Sequence, residues 1–128
     1  MPYVNDVSGP LHTAVETPTY LAAVKRLGLS DAEREAVLDL VMSDPASGDL
    51  IRRSGGIRKV RIAKDDTGKS GGYRVLTYFM DRDAPVFLLL VIDKSEADSI
   101  TDAQANQLRT IAKAIKDQRA STNIRSKR

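Results

Sequence analysis

Gly55-Gly56-Ile57-Arg58-Lys59-Val60-Arg61-Ile62-Ala63 is where the chain changes period. Upstream of it apolar residues recur every three or four positions, as on a helix. Here they alternate, as on a strand. Val60 and Ile62 then fall on one side, the core side, with Arg58 near the strand start able to snorkel outward. Lys59 and Arg61 share the other side with Ile57 and Ala63. Gly55-Gly56 punctuates a turn before this strand, and Asp49 to Arg53 is a short extended segment before that. After it, Tyr73 to Met80 alternates again, Asp81-Arg82-Asp83 makes a turn, and Val86 to Ile92 is a continuous apolar run. Such a run reads as a central strand covered on both faces. Strands joined by short turns predict an antiparallel meander.

Toward the N-terminus the period is helical. Thr17 is placed to cap a helix with Pro18 at its first position, and Tyr20, Leu21, Val24 and Leu27 form its stripe up to Gly28. Ser30 and Glu33 have capping-box spacing. A second helix follows, with Val37, Leu40 and Val41 on its buried side, and Asp44-Pro45 and Gly48 end it. The short link between the two predicts a helical hairpin. Before them a short strand is expected near Leu11 to Glu16. Toward the C-terminus Thr101 and Gln104 repeat the capping spacing, and Leu108, Ile111, Ala112 and Ile115 make an amphipathic helix. The expected division is an irregular segment 1–10, a folded domain 11–119 and a basic, disordered tail 120–128. The expected class is α+β: a small curved antiparallel β-sheet with two N-terminal helices and a C-terminal helix, all packed on one sheet face, leaving the other open.

The 128 residues suit one domain that buries a core without staples. Cysteine is absent, which excludes disulfides, thiolate metal sites and a cysteine nucleophile. With a single histidine, His12, a multi-histidine metal site and a Ser/His/Asp arrangement are also excluded, and His12 reads as structural. No run approaches the ~20 apolar residues of a membrane helix, and no signal-peptide pattern opens the chain, so a cytoplasmic protein with no membrane partner is expected.

Net charge is only +3, but it is segregated. Residues 1–51 carry three Lys/Arg against eight Asp/Glu, and residues 52–74 carry eight Lys/Arg against Asp65 and Asp66. Residues 75–112 are acidic again and 113–128 basic. Clustered positive charge is the footprint of a polyanion binder. In a hairpin, the start of the second strand lies beside the end of the first, so Arg74 approaches Arg61. Lys59, Arg61, Arg74 and the strand-end Lys94 would then make a cationic concavity, with Arg58, Lys64 and Lys69 around it. Gly68-Lys69-Ser70 is not a phosphate loop: Ala63 stands where its first glycine belongs, and a strand follows rather than a helix. The acids Asp31, Glu33, Glu35 and Asp39 read as a solvated helix face.

Two blocks carry a resemblance. Asp44-Pro45-x-x-Gly48-Asp49-x-Ile51-x-x-Ser54-Gly55-Gly56-x-Arg58-Lys59-x-Arg61 is followed by Gly68-Lys69-x-Gly71-Gly72-x-Arg74-x-x-x-Tyr78, and the apolar strand ends in Asp93-Lys94-Ser95-Glu96. Together they resemble the toxins of the RelE/ParE superfamily, especially its HigB-like branch, over roughly residues 12–117. The resemblance implies a toxin of a type II toxin–antitoxin module that cleaves mRNA in the translating ribosome. Its implied partners are the ribosome with its mRNA and a cognate antitoxin bearing a helix-turn-helix DNA-binding domain, with no metal and no small-molecule cofactor. The family's basic positions fall on Lys59, Arg61, Arg74 and Lys94 as catalytic residues, with Arg58, Lys64 and Lys69 as further RNA contacts. Some members place a tyrosine or histidine near the scissile phosphate in the last segment. Asp98 to Arg128 contains neither.

RNA supplies its own nucleophile, so such a site need only orient the 2′-hydroxyl and manage charge. Arg61 and Arg74 would neutralise the phosphate, and Lys59 would serve as base. Two alternatives share the fold: a ParE-like toxin that binds DNA gyrase, and a non-catalytic member acting only as antitoxin-binding co-repressor.

Overall fold

The computed structural model describes residues 13–63, 72–94 and 100–126. In order they form β1 (Ala14–Glu16), α1 (Pro18–Leu27), α2 (Asp31–Ser43), β2 (Asp49–Leu50), β3 (Ile57–Ile62), β4 (Tyr73–Tyr78), β5 (Val86–Asp93) and α3 (Asp102–Ser126). The segment 1–10, His12 and the Gly68-Lys69-Ser70 loop lie outside the described residues. Helix α3 continues past residue 119, where the sequence placed the end of the folded domain.

The helix starts are set by side chains that satisfy orphan N–H groups. Thr17 Oγ1 accepts from the Tyr20 amide at 3.2 Å and donates to the Leu88 carbonyl at 2.7 Å. One hydroxyl thus caps α1 and ties it to β5. Ser30 and Glu33 close a reciprocal capping box on α2 at 3.0 and 2.8 Å. Thr101 and Gln104 do the same for α3 at 3.1 and 2.9 Å. Gly28 ends α1 at φ 75°, a left-handed cap open to glycine.

The five strands lie in the order β1-β5-β4-β3-β2. β2 to β5 form the expected antiparallel meander. The sheet as a whole is mixed, because β1 pairs with β5 in parallel. The expected α+β class and antiparallel meander hold, with this one parallel edge strand added. The physical reason lies in the connection: α1, α2 and strands β2 to β4 intervene between β1 and β5, and a crossover that long permits parallel pairing. β1 fills the free edge of β5, so the apolar run of β5 has a neighbour on each side. Opposite Leu76 and Thr77 of β4 the register slips between Leu90 and Leu88, a bulge that leaves Leu89 as an extra residue. Leu88, Leu89 and Leu90 are all buried.

Strand alternation sorts the two faces. Val60, Val75, Thr77 and Leu88 share one, with Glu16 beside Leu88. Glu16 holds Arg34 of α2 through two contacts of 3.0 and 3.1 Å, so the helical hairpin lies on this face. That carboxylate raises the Arg34 pKa further. The other face carries Ile57, Lys59 and Arg61 of β3 opposite Tyr78, Leu76 and Arg74 of β4. It is not left open, as the sequence suggested. Tyr78 lines a cleft with Arg109, Ala112 and Lys113 of α3, so the C-terminal helix packs on this second face. Leu108 and Ala112 are its buried contacts with the core. The reason is apolar area: Ile57, Leu76 and Tyr78 need cover that α1 and α2 cannot supply from the opposite side.

Candidate functional site

The site begins with the β3–β4 pairing. Arg61 is directly opposite Arg74, and Lys59 is opposite Leu76 on the same face. Two guanidinium-bearing residues thus stand across one hydrogen-bonded ladder, where like charges destabilise each other unless an anion or a carboxylate relieves them. The pairing is held at its end by Gly72. Its φ is 81°, and a Cβ there would sit 2.6 Å from the Ile62 carbonyl oxygen. Only glycine allows that approach. The Gly72 carbonyl in turn accepts from the Lys94 amide at 3.0 Å. Lys94 is therefore brought to the same end of the sheet, two positions past Ile92, the β5 partner of Arg74.

The four residues differ in environment. Arg61 and Lys94 are exposed, and Lys59 is half-buried. Arg74 is only 6 % exposed. Its Nη1 donates to the Tyr73 carbonyl at 3.4 Å, and it takes part in further interactions, so it is an engaged cation rather than a free one. A buried guanidinium is tolerated only when its donors are satisfied. Arg74 therefore combines a framework role with whatever it does toward a ligand.

The remaining predicted basic residues divide. Arg58 is on the opposite face, half-buried, and its Nη1 donates to the Gly48 carbonyl at 3.2 Å. That bond fastens the chain entering β2 to β3. The approach is close: a Cβ at Gly48, φ 91°, would lie 2.6 Å from the Lys59 carbonyl oxygen. Arg58 is thus not brought into the Lys59–Arg61–Arg74 group. Lys64 and Lys69 lie outside the described residues.

Sequence reasoning singled out no cation of α3. Arg109, Lys113 and Lys116 line the cleft of about 360 Å³ between α3, the Ser54–Gly55 turn and Tyr78. Their i, i+4, i+7 spacing was a readable signal, because it puts all three on one side of a helix. Arg109 Nη1 donates to the Arg53 carbonyl at 3.3 Å, which ties α3 to that turn. Ser54 Oγ donates to the Ile51 carbonyl at 2.6 Å and accepts from the Ile57 amide at 2.9 Å, which shapes it. Burial raises the Tyr78 pKa, so its phenol stays protonated.

One solved structure that the chain matches is a free-state double arginine-to-alanine mutant of the E. coli toxin RelE. It shares 19 % identity over 69 % of this chain and 88 % of its own, with a TM-score of 0.47. A family model described as the RelE toxin of the RelE/RelB toxin–antitoxin system matches residues 19–125, from the start of α1 almost to the end of α3. The chain belongs to the RelE toxin family.

Proposed function

We infer that this toxin is a ribosome-dependent mRNA endonuclease of the HigB-like kind, acting in the cytoplasm. The observation that carries the reading is the register: Arg61 opposite Arg74 with Lys59 on the same face. The in-line reaction forms the bond from the 2′-oxygen to phosphorus and breaks the bond to the 5′-oxygen. Its products are a 2′,3′-cyclic phosphate and a free 5′-hydroxyl, with no metal required by the chemistry. Arg61 and Arg74 stabilise the charge that builds on the phosphoryl oxygens, and the planar guanidinium suits two-point contact with them. A guanidinium does not give up its proton. Among the grouped residues only the two lysines can, and Lys59 shares a strand and a face with Arg61, so we assign its neutral amine the 2′-hydroxyl proton, while a solvent water protonates the departing 5′-oxygen. Lys94, Lys64, Lys69 and Arg58 would contribute to RNA attraction.

The resting toxin needs its cationic sheet end covered. An acidic antitoxin segment that folds on binding would do this, on an antitoxin with a helix-turn-helix domain. Association would be fast and salt-sensitive. Copurification from cells expressing the toxin together with the product of the neighbouring gene tests it.

The decisive experiment is single-turnover cleavage of A-site mRNA on purified ribosomes. The wild type should cut, leaving cyclic phosphate ends, and Lys59→Ala should change the pH profile of the rate. Growth arrest with intact translation and failing DNA supercoiling would instead favour gyrase binding. No arrest at all would favour a co-repressor.

A further inference from the structure

The cleft beneath α3 has no part in the reaction above. Its floor is the Tyr78 ring and Ala112, and one wall is the Ser54–Gly55 turn. Three cations of α3 rise along its rim over seven residues, roughly 10 Å of helix. Lys113 bonds Asp117 at 2.8 Å, so the acid of the cleft is committed within the helix, and that pairing raises the Lys113 pKa. A rim of that length exceeds the needs of one small anion. The cleft also shares its sheet face with the Lys59–Arg61–Arg74 group. Tyr78 and Arg74 are four residues apart on β4, roughly 13 Å. Two cationic sites on one face at that spacing fit separate, nearby phosphates of one extended polyanion better than two unrelated ligands.

We propose that the cleft between α3 and the Ser54–Gly55 turn is a second RNA subsite, in which Arg109, Lys113 and Lys116 hold backbone phosphates of single-stranded RNA a few nucleotides from the one at Arg61 and Arg74. This rests on the reading that the protein acts on RNA. The bound strand passes over the buried β4, from the exposed Arg61 to the cations on the rim of α3.

The test is fluorescence anisotropy of the full chain with a 2′-O-methylated single-stranded octanucleotide, which resists cleavage, titrated across salt. The double variant Lys113→Ala/Lys116→Ala should flatten the slope of log K against log salt by about 1.4 and cost roughly tenfold or more in affinity at low salt. Lys25→Ala/Arg26→Ala removes the same charge from exposed positions at the end of α1. It should change the slope by much less. Arg109→Ala is a weaker probe because Arg109 also ties down the 53–55 turn, so the lysine pair carries the result. Equal effects from the two pairs, no effect from the cleft pair, or an effect on antitoxin binding alone would each overturn the subsite. Arg61→Ala measured in parallel separates the two claims. If it weakens RNA binding and the cleft pair does not, the subsite falls and the central reading stands. If Arg61→Ala has no effect either on RNA binding or on ribosomal cleavage, the central reading falls.

Discussion

The two ends of one sheet face teach different lessons. At the Ile57–Tyr78 end the face is closed by α3, and both residues are buried. At the Arg61–Arg74 end the same two strands, in the same register, carry cations, and Arg61 is exposed. The backbone ladder is uniform between them, so the pairing does not make the difference. Side-chain chemistry along β3 and the place where α3 lands do. Apolar residues pull the helix onto one end, and the exposed Arg61 and Lys94 at the other, costly to desolvate, keep it away.

The largest effect should come from removing what holds α3. Leu108 is fully buried in the core. Leu108→Ala should cost about 2–5 kcal/mol of stability, read as a lower urea midpoint. If the midpoint holds, α3 is not what closes the Tyr78 end. Nearly as large in free energy, but on rate, are the arginines. Arg61→Ala and Arg74→Ala should each lower ribosomal cleavage by roughly 10²–10³. The two should part in melting curves: exposed Arg61 can go without loss of Tm, whereas removing buried Arg74 lowers it. Arg→Lys should restore activity only in part at either position, since lysine lacks the two-pronged donor. Equal melting of the two alanine variants would show that the burial of Arg74 has no structural value.

A smaller effect sits on the opposite face, under α1. Tyr20 is fully buried, and its hydroxyl has no hydrogen-bond partner among the described residues. Burial first, and the Glu16 carboxylate second, push its pKa up to about 12. The folded protein therefore keeps this proton after the unfolded chain has released it. The stability so contributed is complete below pH 10 and is lost as pH rises from 10 toward 12. Tyr20→Phe should flatten the fall in urea midpoint over that window and change stability little at neutral pH. A wild-type profile with no such fall would place the phenol in water. The smallest effect belongs to Asp117→Asn. Its partner Lys113 is exposed, so the melting temperature should not move measurably.

Much of the scaffold is legible in the chain alone. Thr17-Pro18, Ser30 with Glu33, Thr101 with Gln104, and Gly28 each act through hydrogen bonds within a few residues, and the structure places helix ends at all of them. The facing of Lys59 and Arg61 follows from a period of two, and the Arg61–Arg74 approach from a short hairpin. These are local facts, and the sequence by itself suffices for them.

What the chain could not reveal alone depends on contacts distant in sequence. The parallel seat of β1 beside β5 joins segments some seventy residues apart, and no local pattern distinguishes it from an antiparallel one. The bulge at Leu89 is invisible in a run of three leucines that are apolar on both sides. The amphipathic stripe of α3 said that it must bury Leu108 and Ala112, but not on which sheet face. Only the tertiary structure set α3 on the second face, buried Arg74 while leaving Arg61 in water, and brought the cations along one side of α3 to the rim of a cleft. The physical reason is common to all: a hydrogen-bonded cap or an alternating strand is decided within a few residues, whereas burial is decided by whatever else in the fold still has apolar surface to cover.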